Sequence, residues 1–304
     1  MEALTASSLN ALRKFDQIRG IVEKTKPQLV IATYEGYAWE RMAFNGARSA
    51  KPDIKCVGYT HAPLFERQHA AWRPLGERFN PNQIMTSGSI QKEQLECTKA
   101  LNNTPIEVLG SKRVNTLQKD DTIEFKGTQK KQQEQKTCLV IPEGIESEIK
   151  MLFEFSLQCA MEFSDLHFIW RLHPLFSFET LARTDHLYRS LPDNIELSSQ
   201  RLEADFERCQ WVLYRGSSAI IQAVLAGLKP VYLHQRQEMK IDPLYELKSW
   251  KDEVESPHDF NRVMSAEIEF KDHCQAAREY CRKTYEPFNH RPLIKLLDKT
   301  VSHA

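Results

Sequence analysis

Three apolar segments in the second half of the sequence each end in residues that can bind an anion. The segments LVIPEG, FIWRLHP and WVLYRGSS begin as buried strands and end in charged residues, histidine, serine or glycine. Because the carboxyl ends of parallel strands meet at one edge of a sheet, we expect these end residues to lie together. They are Glu143, Gly144, Arg171, His173, Pro174, Arg215, Gly216, Ser217 and Ser218.

The segment RGSS has the features of an anion site at the start of a helix. Gly216 allows a tight turn from strand to helix, and Ser217 or Ser218 can cap the helix that follows. The first N–H groups of a helix have no partner within the helix and carry partial positive charge. This segment therefore predicts a site for a phosphate.

Two guanidinium groups and one imidazole support the same prediction. Arg171 and Arg215 can add charge-assisted hydrogen bonds to a phosphate. His173 can donate a hydrogen bond or deliver a proton, since an unperturbed imidazole titrates at about pH 6.5. Each feature alone is common in ordinary turns and helix starts. Their succession at three strand ends favours a nucleotide monophosphate or diphosphate as the ligand.

A carboxylate in the first half of the sequence is a candidate general base. Glu35 follows the apolar segment LVIATY directly and stands beside Gly36, at the predicted edge of a sheet. Glu40 and Arg41 fall on the helix that follows and can orient it. The alternative is a carboxylate that only stabilises the start of that helix through the helix dipole.

The segment from residue 60 to residue 74, THAPLFERQHAAWRP, is a candidate acceptor site. Its imidazole, guanidinium and aromatic groups suit a sugar or a lipid phosphate, and the residues that we assign to the acceptor are His61, Arg67 and His69. A surface loop without a binding role is the alternative. The two histidines are eight positions apart with no nearby set of carboxylates, so no metal site is predicted.

Composition and charge limit the classes of function. The chain has 304 residues, and 41 basic side chains balance 41 acidic ones. This balance argues against attraction to a nucleic-acid backbone, so nucleic acid is not an expected partner. The chain has no apolar run of the roughly 18 residues that a membrane span needs and no pattern typical of a signal peptide. Its seven cysteines form no CxxC pair, which favours reduced thiols and a cytoplasmic location.

Short apolar runs alternate with helical patterns along the chain. This alternation predicts an α/β fold with two Rossmann-like, doubly wound parallel-sheet domains. We expect an acceptor-side domain over residues 1–114, a polar linker over 115–136, a nucleotide-binding donor domain over 137–265 and a helical tail over 266–304. The tail is amphipathic. It can touch an anionic membrane surface, and packing against the first domain is the favoured alternative.

The motifs of the second half resemble the donor half of GT-B glycosyltransferases. The resemblance rests on the HP pair that closes one strand, the Gly-Ser-Ser start of an apolar helix, and GLKPVYL after it. It covers mainly residues 137–235. More narrowly, these motifs are similar to those of enzymes with cytidine-nucleotide donors. These enzymes are bacterial sialyltransferases, Kdo transferases of surface polysaccharides, and glycerophosphotransferases of teichoic acid synthesis.

The resemblance implies roles for individual residues. His173, Pro174, Ser217 and Ser218 match the residues that contact the phosphate of the cytidine nucleotide in that family. The segment Pro142–Gly144 stands where some sialyltransferases have two acidic residues and a glycine, and it keeps one acid. The donor phosphate is then expected beside the imidazole, where positioned donors stabilise the charge that grows as the glycosidic bond breaks.

The implied function is transfer of a sugar from a cytidine nucleotide to a surface glycan or glycolipid. Kdo or another nonulosonic acid is the implied sugar, His173 assists the leaving phosphate, and Glu35 deprotonates the acceptor hydroxyl. No metal or other cofactor is expected, because hydrogen-bond donors stabilise the leaving group. Peripheral association with the inner membrane is a further expectation.

Two alternatives stay open. In that family the first domain normally has more strands before residue 27, so we expect a truncated first domain here. The alternatives to a sugar transferase are a transferase of the CDP-glycerol type with the same donor half, and an inactive glycosyltransferase-like subunit whose missing strands come from a partner.

Overall fold

The computed structural model describes residues 5–67, 70–73, 75–113, 136–266 and 272–301. The chain forms two units. The first contains the described residues up to Leu64, those between residues 70 and 113, and those from Lys283 onward. The second contains Phe65–Arg67 and the described residues from 136 to Arg282.

The first unit is built on a parallel sheet of four described strands in the order β1-β2-β3-β4. Each strand is short and apolar and is joined to the next through a connection on the faces of the sheet, as parallel pairing requires. The strands are β1 (Leu29–Thr33), β2 (Lys55–Thr60), β3 (Gln83–Thr86) and β4 (Ile106–Val108). The helices are α1 (Ala6–Thr25), α2 (Ala38–Ala50), α3 (Ser89–Glu96) and α10 (Arg291–Val301).

The first sheet is covered on both faces. One face packs through Val30 and Ile84 against the α2 residue Phe44. The other face packs through Val57 and Met85 against α10. The α10 side chains in this contact are Leu293 and Leu296. The amphipathic end of the chain is therefore part of the first unit, where its apolar side chains complete the core.

The segment before α10 runs along the carboxyl ends of β3 and β4. The Ser111 N–H donates to the Glu286 carbonyl at 2.7 Å, and the Glu286 N–H donates to the Ser87 carbonyl at 2.9 Å. A Cβ at Gly88 or at Gly110 would overlap backbone atoms of this segment. Only glycine allows the two backbones to approach so closely.

The second unit is built on a six-stranded parallel sheet in the order β10-β9-β8-β5-β6-β7. The strands are β5 (Lys136–Val140), β6 (Leu166–Trp170), β7 (Ile195–Leu197), β8 (Trp211–Tyr214), β9 (Lys229–Leu233) and β10 (Asp252–Val254). The chain proceeds from β5 to β7 in one direction and from β8 to β10 in the other. The order therefore reverses between β5 and β8, and such a reversal is where open α/β sheets bind ligands.

The helices of the second unit connect these strands and cover the sheet. They are α4 (Glu146–Glu162), α5 (Phe178–Thr184), α6 (Leu202–Arg208), α7 (Ala219–Leu225), α8 (Pro257–Ser265) and α9 (Asp272–Thr284). Phe153 of α4 stacks on Trp170 of β6, with ring centroids 4.1 Å apart. The Trp170 Nε1–H donates to the Ser156 hydroxyl at 2.9 Å, which satisfies the polar atom of a buried indole.

The predicted α/β fold with two parallel sheets is confirmed. Residues 115–135 of the predicted linker lie outside the described residues. The predicted tail over 266–304 is divided, because the second unit extends to Arg282 and the first resumes at Lys283. The sequence did not indicate β10 and α8. None of the described helices is long and apolar enough to cross a membrane.

Candidate functional site at the strand ends of the second unit

Backbone hydrogen bonds continue the pairing of the second sheet beyond its named strands. The Ile141 N–H donates to the Leu213 carbonyl at 3.1 Å, and the His234 N–H donates to the Val254 carbonyl at 2.9 Å. The same register, carried to the strand ends, aligns one residue from each of five neighbouring strands. We call this set the strand-end row. In order across the sheet it contains Glu255, His234, Gly216, Glu143 and His173.

Glu143 and Gly216 meet at the reversal of strand order. A Cβ at Gly216 would lie 2.5 Å from Oε2 of Glu143, so the carboxyl group occupies the space that any other residue at 216 would need. Burial raises the pKa of Glu143, and Glu148 raises it further, while Arg215 lowers it. The turn after β8 thus lies against a carboxyl group that is harder to ionise than usual.

His173 contacts the neighbouring turn, the one after β5. A Cβ at Gly144 would lie 2.9 Å from Nδ1 of His173. This nitrogen accepts a hydrogen bond from the Leu175 N–H at 3.3 Å. Because an accepting Nδ1 carries no proton, the neutral ring has its proton on Nε2 and can donate it to an anion. Pro174 is exposed beside it.

The serine pair lies where the sequence predicts it, at the start of a short helix. Ser217 is buried, Ser218 is half-buried, and α7 has seven residues. The carbonyls of the two serines accept from the N–H groups of Ile220 and Ile221, each at 3.3 Å. The Ser218 hydroxyl does not cap the helix. Since α7 is so short, its dipole adds less to anion binding than the sequence suggested.

Arg215 does not face a ligand, contrary to the expectation from the sequence. Its side chain is buried, with Nε donating to Glu148 at 2.7 Å, Nη1 to the Leu233 carbonyl at 3.3 Å and Nη2 to Glu238 at 2.6 Å. Leu213, two residues earlier, packs in the core against α4, and Arg215 points to that same side. The guanidinium group therefore ties α4 to β9 and to the loop after β9.

Arg171 is likewise held by the protein. Its Nη1 donates to Oδ2 of Asp205 at 2.7 Å and to the Gln200 carbonyl at 2.7 Å. Asp205 is fully buried and also accepts from the Ser198 hydroxyl. Because a buried carboxylate needs a cationic partner, this pairing fixes the end of β6 to α6, and the Gln200 carbonyl fixes it to the turn after β7. The sequence assigned Arg171 to the phosphate, whereas its Nη1 serves this pairing.

In the first unit the buried carboxyl group belongs to Glu40 rather than to Glu35. Oε2 of Glu40 accepts from the N–H groups of Glu35 at 3.0 Å, Gly36 at 2.8 Å and Tyr37 at 2.8 Å. Burial raises the pKa of Glu40 to about 7, against the three N–H groups, which favour the charged form. Glu35 is half-buried and hydrogen-bonds with the side chain of Tyr37. Glu40 thus fixes the backbone that presents Glu35.

Arg41 links that backbone to the loop after β2. Its Nε donates to the Gly36 carbonyl at 3.1 Å. Its Nη2 donates to the carbonyls of Ala70 at 2.7 Å and Arg73 at 2.8 Å. Gly36 has φ +88°, and a Cβ there would overlap the backbone of Ala70. Only glycine suits both the left-handed backbone and this close approach.

The described residues do not include all three predicted acceptor residues. His61 belongs to the first unit, follows β2 and has its ring centroid 6.3 Å from that of Tyr59. Nδ1 of His61 is buried and has no hydrogen-bond partner among the described residues. Arg67 is exposed and belongs to the second unit, and His69 lies outside the described residues.

Comparisons with known proteins find similarity in structure and not in sequence. No family model matches the chain, and no curated protein does. A UDP-N-acetylglucosamine 2-epimerase from Rickettsia bellii matches with a TM-score of 0.60 and 12% identity over 99% of this chain and 80% of its own. MurG from Acinetobacter baumannii matches at 0.57 and 10% over 95% and 78%. MnaA from S. aureus, solved with UDP, matches at 0.56 and 13% over 97% and 80%.

The chain has a GT-B fold. Identities this low establish the architecture alone. Within the GT-B fold described here, the reversal of strand order lies in the second unit, whereas the described strands of the first sheet run in chain order. The strand-end row is therefore the better-supported candidate for a ligand site.

Sequence reasoning missed four residues around this row. His234 ends the segment KPVYLH, and the rule that selected His173 would have selected it as well. Glu255 follows β10, a strand without a sequence signal. Glu148 and Glu238 were missed because the arginine that they hold was assigned to the ligand. In the described part of the chain, no group of three or more His, Cys, Asp or Glu side chains is arranged to hold a metal ion.

Proposed function

We propose that the protein is a glycosyltransferase whose second unit binds a cytidine-nucleotide sugar donor. The sugar is Kdo or another nonulosonic acid, and the acceptor is a surface glycan or glycolipid. The observation that carries this proposal is the strand-end row, in which Glu143 lies between the Gly216 turn and His173 at the reversal of strand order.

His173 has the hydrogen-bonding arrangement that a leaving phosphate requires. The Nε2–H of its neutral ring can donate to a phosphate oxygen, since Nδ1 already accepts from Leu175. As the bond between the sugar and the phosphate breaks, its electron pair passes to the phosphate oxygen, and a donor fixed in place stabilises the new charge. The acceptor hydroxyl loses its proton to a base, a role that we assign to Glu35 of the first unit.

The charges around the row favour a donor with a single phosphate. Arg171 and Arg215 are both paired with carboxylates, and Glu143 adds a further carboxyl group. A sugar joined to a nucleoside monophosphate carries one negative charge at the phosphate, and a diphosphate sugar carries two. Since an unpaired charge is costly to bury, the singly charged donor suits this row better. The HP and Ser-Ser motifs support the same choice.

The neighbouring structures support a different donor nucleotide. MnaA was solved with UDP, and two of the matched proteins are described as UDP-N-acetylglucosamine 2-epimerases. A uridine nucleotide is therefore the second candidate, and a direct comparison of ligands separates the two.

Ligand binding measured by calorimetry tests the donor. Cytidine 5′-methyl phosphate, CMP, CDP and UDP are titrated into the full chain at fixed ionic strength. The cytidine monophosphates are expected to bind more tightly than CDP or UDP and to raise the midpoint of thermal unfolding accordingly. Tighter binding of UDP would replace the cytidine donor, and no binding of any nucleotide would refute the donor site.

Replacement of His173 tests the role of the imidazole. His173→Ala is expected to lower turnover by roughly 10²- to 10⁴-fold if the ring assists the leaving group. His186→Ala is the matched control. His186 is an exposed histidine of the same unit, and its ion pair among the described residues is with Asp185. Equal turnover in the two variants would remove His173 from the mechanism.

A further inference from the structure

A second histidine lies in the strand-end row, on the other side of the Gly216 turn from Glu143. His234 is the register neighbour of Gly216, and Glu255 is the register neighbour of His234. Neighbouring strands are about 4.8 Å apart, so the imidazole lies one strand from the turn. No motif of the sequence singled it out.

Glu255 orients this imidazole. Nδ1 of His234 lies 3.0 Å from Oε1 of Glu255, and the two side chains are 32% and 34% exposed. Because a carboxylate can only accept, Nδ1 carries the proton of this hydrogen bond. Nε2 makes no hydrogen bond with the described residues and is accessible to solvent or ligand. The ring is thus held in place by one nitrogen and presents the other.

The carboxylate lies where a charged ring would find a counter-ion. An imidazole with a proton on Nδ1 must take up a second proton, on Nε2, before it can donate to an anion. Glu255 lies within ion-pair distance of the resulting imidazolium. A phosphate at the Gly216 turn would add a negative charge on the opposite side of the ring.

We propose that His234, held by Glu255, is a further phosphate-binding residue of this site and contacts the donor phosphate as an imidazolium. This inference rests on the proposed function and deepens it. On binding, Nε2 takes up one proton from solvent and donates it in a charge-assisted hydrogen bond to a phosphate oxygen. One imidazolium matches the single charge of a monophosphate donor, whereas the Arg215 side chain and Nη1 of Arg171 are held by carboxylates of the protein.

Other charged groups face His234 and enter the interpretation of any pH dependence. On its own loop Arg236 donates to the second oxygen of Glu255 at 2.6 Å. Glu253 of β10 interacts with the ring electrostatically. On the side of β8 Arg215 donates to the carbonyl of the preceding residue, Leu233. Beyond Gly216 lies Glu143, whose ionisation also weakens anion binding.

The test compares a charged ligand with its uncharged counterpart. Cytidine 5′-methyl phosphate keeps one negative charge across pH 5.5–8.0, and cytidine carries no phosphate. His234→Ala is expected to weaken binding of the methyl phosphate by about tenfold at pH 6, the effect of one charge-assisted hydrogen bond, and to leave cytidine binding unchanged. His234→Gln serves as a second variant, and thermal unfolding without ligand checks that each variant is folded.

The pH profile separates a direct contact from a structural role. In the wild type, binding of the methyl phosphate is expected to weaken as the pH rises through the range in which an imidazole titrates, about 6.5. Much of this slope is expected to disappear in His234→Ala and to remain in Glu143→Gln. Glu255→Gln is expected to reduce the affinity, because the amide that replaces the carboxylate cannot form an ion pair with the imidazolium.

A similar pair elsewhere in the second unit provides the control. Nδ1 of His258 lies 3.1 Å from Oε1 of Glu162, on α8 and α4 and outside the row. His258→Ala is expected to bind both ligands as the wild type does. Unchanged affinity and unchanged pH slope in His234→Ala, with a wild type that binds the methyl phosphate, would refute the role of His234 alone. If the wild type binds UDP instead, the same comparison is made with UDP. A wild type that binds no nucleotide refutes both proposals.

Discussion

Nδ1 of His173 lies 2.9 Å from the point that a Cβ on Gly144 would occupy. The glycine after β5 therefore sets the position of the imidazole after β6, although the two residues lie on different strands. A side chain at 144 must move the ring, and with it the Nε2–H that faces the proposed phosphate.

Gly144→Ala is the smallest change that tests this relationship. The methyl group is expected to displace the imidazole and to weaken binding of a cytidine monophosphate by about tenfold, the effect of losing one well-placed hydrogen bond. Calorimetry with the nucleotide and with cytidine measures the effect and attributes it to the phosphate. Gly20→Ala is the matched control, because a Cβ at Gly20 in α1 would meet no atom within 4 Å. That control is expected to leave binding unchanged and to stabilise the helix by about 0.5–1 kcal/mol. Wild-type affinity in Gly144→Ala would show that the ring does not depend on this glycine.

Gly216→Ala is expected to disrupt the turn at the reversal of strand order. Its methyl group would lie 2.5 Å from Oε2 of Glu143, so the carboxyl group must leave its place. We expect a loss of stability of about 1–3 kcal/mol, the range for overpacking a well-packed site. Urea unfolding measures this loss.

A double mutant identifies the cause. Glu143→Ala removes the atoms that the new methyl group meets. Gly216→Ala is therefore expected to lower the free energy of unfolding less in the Glu143→Ala variant than in the wild type. Equal losses of stability in the two backgrounds would show that the glycine is needed for its backbone conformation and not for the space beside Glu143.

The positions of His173, Glu143 and Gly216 could be predicted from the sequence, because the rule that parallel strands share an edge needs only the strands. The directions of the two arginines could not. All four residues of β8, from Trp211 to Tyr214, are buried, so the segment WVLY carries no alternation that would show which face Arg215 joins. The pairing of Arg171 could not be predicted, because its partner Asp205 lies in a helix 34 positions later.

Short elements were the other limit. β10 has three residues with two acids among them, and nothing in Asp252–Val254 differs from a surface loop. Its register with β9 is what brings Glu255 to His234.

The two carboxylates of the first unit could not be told apart from the sequence either. The order of residues in the sequence favoured Glu35 as the perturbed carboxyl group. The burial that raises the pKa of Glu40 depends on how the turn from Glu35 to Tyr37 folds back on α2.

Glu286 holds the segment before α10 to the first unit through α3. Its Oε1 accepts from the Ser89 N–H at 2.8 Å, which satisfies an N–H group at the start of that helix. Glu286→Ala is expected to destabilise the protein by about 1 kcal/mol, as the loss of a capping interaction does. Glu279→Ala is the control, since the exposed pair of Glu279 with Arg282 spans 3.7 Å and contributes little. Equal unfolding midpoints in urea for the two variants would show that the carboxylate of Glu286 does not stabilise the unit.

Glu40 should make the first unit less stable as the pH rises. Burial raises the pKa of this carboxyl group from 4.5 to about 7 in the folded protein. Between these two values the unfolded chain has lost the proton that the folded protein keeps, so the free energy of unfolding falls with rising pH. The fall is expected to be at most roughly 3 kcal/mol between pH 4.5 and pH 7 and to level off above that range.

Glu40→Gln isolates this effect, because the amide oxygen can still accept from the N–H groups of Glu35, Gly36 and Tyr37 and has no proton to lose. The urea midpoint of the variant is expected to change less between pH 4.5 and pH 8 than that of the wild type. Glu35→Gln is the control. It removes only a minor cause of the raised pKa of Glu40, the neighbouring negative charge, and is expected to keep most of the wild-type slope, since burial is the main cause. A wild-type slope in Glu40→Gln would mean that Glu40 stays ionised in the folded protein, because its three N–H donors outweigh its burial.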